Sequence, residues 1–391
     1  MNDSTPSSLR YQMGPLLFLV GIFFLNFLAR IVLSPLMPGV EKDLKIGHDE
    51  AGSLFFLISF GYCLGLLASG FVSSRLYHRR TIILSSIVVG FGLVIVSVTH
   101  NLWGIRTGLI FLGMAAGFYL PSGIATVTEL VRPEDWGKAI AIHELAPNLG
   151  FLIAPLLAEA LLGILSWRGV LSLVGIGSII AGVVFVFWGR GGTFPGEAPD
   201  LKTLRSILDK PSFWILVILF VLGIGASFGV YSMIPLYLVS EKGMERAWAN
   251  TLLGLSRIST LVIVLLSGWV ADRLGARQTL RAVFLTNGLI TMMLGIVSGA
   301  WIVILLFIQP MIATCFFPAG FAALSRTGPS SIRNIAISFT ASVGILLGGG
   351  AIPAGIGLMG ELGFFALGFI LLGGLLFAGV VLVQCLKFLD E

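Results

Sequence analysis

Gly268-Trp-Val-Ala-Asp272-Arg273 restates, 198 residues later, the earlier stretch Gly70-Phe-Val-Ser-Ser74-Arg75, and this pairing decides the architecture. Each stretch closes an apolar run and opens a polar turn. Two more landmarks recur at nearly the same spacing. Tyr119-Leu-Pro121-Ser-Gly123 matches Phe316-Phe-Pro318-Ala-Gly320 at an offset of 197, and Ser34-Pro35-Leu36 echoes Ile234-Pro235-Leu236 at 200. Self-similarity at one period is the mark of a duplicated unit.

Between these landmarks the chain is apolar. Of its 391 residues 57% are hydrophobic and 11% charged, with mean hydropathy +1.01, whereas a soluble domain carries about 25% charged residues. Charge-poor runs fall at about 15–38, 50–72, 81–99, 103–128, 137–162, 169–188, 212–238, 249–270, 279–298, 301–324, 334–359 and 363–385. Each approaches the roughly 20 residues that a hydrocarbon core requires. The longest polar break, near Gly189 to Lys210 and holding Gly191, Gly192, Pro195 and Pro199, divides these runs six and six. The expected fold is therefore an all-α membrane protein of twelve transmembrane helices in two pseudo-symmetric six-helix bundles. Residues 1–188 and 212–391 form the bundles, and 189–211 form a cytoplasmic linker. Six is even, so the copies run the same way through the bilayer, with a cavity expected where they meet. The first run is too long for a signal-peptide core and has no small-residue cleavage site, so it reads as a retained span.

Net charge +5 and pI 9.3 would suggest nucleic acid in a soluble protein. Here, of 24 Lys and Arg, 16 fall on the side of the amino terminus, 6 on the opposite side, and Arg30 and Arg257 lie within spans. The excess is a topology signal that places both termini in the cytoplasm, with a bacterial inner membrane as the expected location. No nucleic-acid partner follows. Cys63, Cys315 and Cys385 are odd in number and scattered through apolar runs, which supports neither a disulfide framework nor a metal cluster.

With Gly268 to Asp272-Arg273-Leu-Gly275-Ala-Arg277 after the second helix of its half, and a degenerate twin from Gly70 to Arg75-Leu-Tyr77-His78-Arg79-Arg80, the chain resembles the major facilitator superfamily of secondary transporters. The resemblance covers nearly the whole length. It implies that the loop is a gating latch in which Asp272, Arg273, Arg277 and Arg75 pair with neighbouring helix ends. The first copy departs from the pattern, with Ser74 in place of the acid and Tyr77 in place of the glycine.

An arginine inside a span costs about 2.5 to 3.5 kcal/mol on insertion scales, so such residues mark function. Arg30 and Arg257 belong to opposite halves, and counting along their helices sets them at similar depth. They are expected to face one another across the cavity as a clamp for a carboxylate, sulfonate or phosphoester. The alternative is that one neutralises Glu144 or Glu159, or snorkels toward the outer surface. An arginine in span 1 resembles the organic-phosphate branches and one in span 8 the monocarboxylate branches. Asn26, one turn before Arg30, Tyr119 in span 4 and Asn148 in span 5 are further candidate substrate contacts. His143 and Glu144 titrate when desolvated and are candidates for proton coupling. A satisfied core histidine is the plainer reading. Pro121, Pro147, Pro155, Pro235, Pro318 and Pro353 lie within spans and are expected to bend them, and Gly348-Gly349-Gly350 marks a flexible or tightly packed point.

No phosphate-binding loop, metal-spaced cluster or nucleophilic triad stands out, so the expectation is not an enzyme and no cofactor. The function read from the sequence is proton-coupled symport of a small organic anion by alternating access. The protein is expected to be a monomer in the lipid bilayer. Anion exchange, export of hydrophobic or cationic compounds, and membrane sensing without flux are the alternatives.

Overall fold

The structure, a computed structural model, describes residues 9–198, 208, 209, 211–325 and 330–386. The basic positions Lys202, Arg205, Lys210, Arg326 and Lys387, counted above for topology, lie outside the described residues. Ten helices are long and apolar enough to cross a bilayer, and the pair Arg246–Ile263 and Leu266–Leu274, bent by 50°, adds another. One of the ten, His48–Val98, is two helices joined across the non-helical residue Tyr77. Twelve spans result among the described residues, as expected from the sequence.

Prolines set where the spans break. In the first half α1 (Met13–Ile31) gives way to α2 (Leu33–Leu44), followed by α3 (His48–Val98). Span 4 is α4 (Leu102–Gly117) and α5 (Tyr119–Leu130), and span 5 is α6 (Trp136–His143) and α7 (Leu145–Leu162). Span 6 is α8 (Trp167–Trp188). In the second half span 10 breaks in the same way, and Pro35, Pro121, Pro147 and Pro318 share one position relative to these breaks. Each stands third in the new helix, and the residue four before it, Ile31, Gly117, His143 or Thr314, is the last of the old one. A proline has no N–H to donate to that carbonyl and its ring crowds it, so the ladder ends there. Of the prolines expected to bend their spans, Pro155 and Pro235 sit inside unbroken helix.

The second half contains α9 (Pro211–Ile224), a π-helical turn (Gly225–Gly229), α10 (Val230–Ser240), α11 (Arg246–Leu255) and α12 (Ile258–Leu274). It continues with α13 (Ala276–Ile296), α14 (Ala300–Thr314), α15 (Phe316–Ser325), α16 (Ser330–Leu346), a second π-helical turn (Leu347–Ala351), α17 (Ile352–Glu361) and α18 (Phe365–Gln384). The two π turns pack on one another: a Cβ built on Gly348 would lie 2.8 Å from the Gly225 nitrogen. The triple glycine is thus a tight packing point. Gln309 from α14 donates to the Ala226 carbonyl at 2.7 Å, which satisfies an acceptor inside the first π turn.

The duplication reaches the packing. A Cβ on Gly90 of α3 would stand 2.4 Å from the Gly175 carbonyl oxygen of α8, and one on Gly373 of α18 would stand 2.7 Å from that of Gly288 in α13. Gly90 to Gly288 and Gly175 to Gly373 are both steps of 198 residues. Each half closes one helix crossing backbone to backbone, a contact that only glycine allows.

Packing divides the chain into two units: Met1–Leu33 with Phe60–Pro199, and Ser34–Ser59 with Asp200–Glu391. The joined ends of spans 1 and 2 are thus part of the second unit. There Ser34 donates to the Tyr231 carbonyl at 2.9 Å, and Asn250 donates to that of Pro35 at 3.2 Å. At the start of α3 the His48 N–H donates to Glu361 at 2.8 Å, while the imidazole Nδ1 meets Glu41 at 2.8 Å.

Candidate functional site

In the first unit Arg30 sits two residues before the Pro35 break, buried, with its guanidinium carbon 4.0 Å from the ring centroid of Tyr62 and 4.9 Å from that of Phe27. Its Nε is buried without a hydrogen-bond partner. Among the described residues no carboxylate lies within ion-pair distance of it, so neither Glu144 nor Glu159 neutralises it. Aromatic faces partly offset the loss of water around a buried cation, by about 2 kcal/mol in a desolvated setting. They do not satisfy its N–H groups, whose natural complement is an oxyanion.

The second unit carries the same module with its partners exchanged. Arg257 lies in the short break between α11 and α12, 3% exposed, with its guanidinium carbon 4.9 Å from the ring centroid of Tyr231. Thr260 donates to the Arg257 carbonyl at 2.6 Å and holds the turn. In the first half the cation stands on the first span and the ring on the second. In the second half the ring is on the first and the cation on the second.

Tyr119 and His143 meet because two proline breaks put them there. Tyr119 opens α5 and His143 closes α6, and both are fully buried. The Tyr119 hydroxyl donates to the Leu19 carbonyl at 2.7 Å and lies 3.1 Å from His143 Nε2. Phe23 of α1 stacks on both rings, at 4.5 Å from His143 and 5.2 Å from Tyr119. His143 Nδ1 is 3.3 Å from Glu144 Oε1, and the Glu144 side chain is 46% exposed. The structure thus brings Tyr119, His143 and Glu144 into one chain of contacts, of which only the last is exposed at the protein surface. The Glu144 carboxylate also acts electrostatically on Tyr62, the ring beneath Arg30.

Asn26 turns its amide to Ser85 at 3.2 Å and to the Ala116 carbonyl at 3.3 Å, tying α1 to α3 and α4. Asn148 donates to the Glu144 carbonyl at 3.1 Å within its own helix and so braces the break.

Residues 19–340 match the family model described as Major Facilitator Superfamily. The chain belongs to the Major Facilitator Superfamily. Among its superfamily relatives is Multidrug resistance protein 2 of Bacillus subtilis (strain 168), 23% identical over 84% of this chain and 83% of the relative. The Probable nitrate transporter NarT of Staphylococcus haemolyticus (strain JCSC1435) is 22% identical over 70% of each. In fold the chain is similar to the crystal structure of a POT family transporter in complex with a thioalcohol-conjugated peptide. That match has a TM-score of 0.82, covers 98% of both chains and has 15% identity. A multi-pass integral membrane protein of a transporter superfamily, with a small-molecule substrate, is what these likenesses support.

The superfamily loop motif is placed as follows. Asp272 and Arg75 are exposed, and neither has an ion pair among the described residues. Arg273 lies over the Trp269 ring at 4.4 Å. Arg277 donates to the Leu386 carbonyl at 2.5 Å, just beyond α18, and its counterpart Arg79, 198 residues earlier, donates to those of Gly189, Phe185 and Val186 at the end of α8. Both arginines therefore close the last span of their own half, where a cation suits the helix carbonyls.

The first copy of the loop has an additional partner. Residues 189–196 of the linker run along it as a strap: His78 N–H donates to Phe194, Arg79 N–H to Gly192, and Gly196 N–H to Ser73. Gly192 N–H in turn donates to the Glu129 carboxylate of α5 at 2.5 Å.

Sequence reasoning missed Tyr62, Tyr231 and the strap. A signal for the tyrosines was present. Only six tyrosines occur in the chain, and four of them, Tyr62, Tyr119, Tyr231 and Tyr237, lie inside apolar runs where a hydroxyl demands a partner. The strap had no such signal.

Proposed function

We propose that this superfamily member is a secondary active transporter of a small organic anion, with Arg30 and Arg257 supplying the guanidiniums that recognise a carboxylate, sulfonate or phosphoester. The observation that carries this is Arg30: a buried cation on an aromatic platform, with a buried N–H left without a partner and, among the described residues, no carboxylate within ion-pair distance. Retaining an uncompensated charge in a membrane span is costly, and a cargo oxyanion is the group that compensates it. The recurrence of the Arg–Tyr module in the second unit supports the same reading. A coupling proton resides on the His143–Glu144 pair, and alternating access moves the two together as symport.

The test is a thermal-shift series on purified protein with lactate, methanesulfonate and glycerol phosphate as probes. At least one should stabilise the wild type, by about 2.7 kcal/mol at one hundred times its Kd. Arg30→Ala and Arg257→Ala should each abolish that stabilisation while the proteins stay folded. Equal stabilisation of the variants would remove the clamp. For the proton, uptake of the stabilising probe into proteoliposomes should follow an imposed pH gradient; indifference to it would favour exchange. The likeness to a Bacillus subtilis protein named for multidrug resistance favours a second reading, export of hydrophobic or cationic compounds. Under it only apolar cations would stabilise the protein, and expression would confer resistance to them.

A further inference from the structure

We infer that Tyr119 is a positioning residue that fixes which nitrogen of His143 exchanges the coupling proton, directing exchange to Nδ1 and away from Nε2. The inference rests on the proton-coupling reading above and deepens it. A phenol has a single proton. Leu19 offers a carbonyl oxygen, which only accepts, so the Tyr119 proton lies in that 2.7 Å hydrogen bond. Toward His143 Nε2, 3.1 Å away, the phenol oxygen can then only accept, and Nε2 must carry the hydrogen.

A neutral imidazole has one N–H, so with Nε2 protonated Nδ1 presents its lone pair to Glu144 Oε1 at 3.3 Å. Two acceptors facing each other at that distance share a hydrogen bond only when one of them holds a proton. The loaded form is either a carboxylic acid donating to Nδ1 or an imidazolium donating to a carboxylate. Passing the proton from Oε1 to Nδ1 leaves a carboxylate and an imidazolium, with the Nε2–H unchanged throughout. The path therefore ends at His143 and does not continue through Tyr119.

The surroundings keep this assignment in place. Phe23 stacks on the imidazole with 10° between the planes, and the Tyr119 ring lies within 6° of parallel to it. His143 is fully buried, which shields Nε2, whereas the Glu144 side chain on the Nδ1 side is 46% exposed. Among the described residues, the titratable groups linked to the pair include Tyr119 on α5, Tyr62 on α3, and Arg30 on α1, which lies over the Tyr62 ring. None of them offers Nε2 a competing proton acceptor.

The test is nitrogen NMR of 15N-histidine-labelled full-length protein in lipid nanodiscs, with no substrate added. The chain has four histidines, and the His143 resonances are those lost in His143→Gln. In the wild type at alkaline pH, His143 should show a pyrrole-like Nε2 and a pyridine-like Nδ1. On acidification the Nδ1 signal should be the one that moves. In Tyr119→Phe, which keeps the stacked ring and loses the acceptor, the tautomers should mix and the two signals should draw together. A wild-type His143 with hydrogen on Nδ1 would overturn the inference, and so would an unchanged spectrum in Tyr119→Phe. Should the phenylalanine variant fail to fold, the wild-type spectrum alone still decides. Failure of the coupling reading is distinct: it is seen as pH-indifferent uptake, whichever tautomer the spectrum reports.

Discussion

Tyr77 and Gly275, equivalent residues 198 positions apart, adopt the same backbone conformation: φ +66° and ψ +156° in the first, φ +81° and ψ +154° in the second. That region belongs essentially to glycine, because a Cβ there crowds the backbone. The turn after span 8 is relaxed, and the turn after span 2 is strained. The residues following Tyr77 are those whose N–H groups the strap engages, so the strap holds the strained turn in place. Tyr77→Gly should raise the thermal stability of the detergent-solubilised protein, by roughly 1 to 3 kcal/mol. Stability unchanged or lowered would mean that the turn carries no strain.

Glu129 anchors the strap through a charge-assisted hydrogen bond to Gly192, a contact of a type worth about 1.5 to 3 kcal/mol. In Glu129→Ala, amide exchange across residues 189–196 should accelerate about 10- to 100-fold, read by hydrogen–deuterium mass spectrometry. Exchange elsewhere in the first unit should stay as in the wild type. Uniform acceleration over the whole unit would instead make Glu129 a general stability residue.

The paired glycine crossings predict matched sensitivity in the two halves. Gly90→Val and Gly288→Val each push side-chain atoms against a facing helix backbone, and overpacking of this kind costs about 1 to 3 kcal/mol. Both variants should lose monodisperse protein on size exclusion, whereas Gly374→Val, where a Cβ meets nothing within 4 Å, should behave as wild type. A tolerated Gly90→Val would count against the close approach of α3 and α8.

Tyr62 serves Arg30 through its ring face, so the ring matters and the hydroxyl does not. Tyr62→Phe should bind the stabilising oxyanion within about twofold of wild type, and Tyr62→Leu about tenfold more weakly, the difference expected for a desolvated cation–π contact. Tyr231→Phe and Tyr231→Leu should repeat the pattern at Arg257. Equal loss in the phenylalanine and leucine variants would assign the role to the hydroxyl.

The sequence alone determined the membrane class, the twelve spans and the duplication, because bilayer thickness, hydrophobicity and a fixed offset are all written in linear order. It also marked Arg30 and Arg257, since a charge in an apolar run stands out without any knowledge of its neighbours. Three of the prolines expected to bend their spans, Pro121, Pro147 and Pro318, mark helix breaks, a local effect in which a missing N–H silences the carbonyl four residues back; the break at Pro35 was not anticipated, and Pro155 and Pro235 leave their helices unbroken. Tertiary structure decided the rest. That Tyr119 meets His143, that Tyr62 and Tyr231 lie beneath the arginines, and that residues 189–196 bind the first loop all depend on how separate elements pack against one another. Such contacts depend on the rotation and depth of each helix in its bundle, which the spacing of residues along one helix does not encode. The strained Tyr77 shows the same division: the sequence reveals a tyrosine where the second repeat has glycine, but only the packed turn forces it into the conformation that glycine would take.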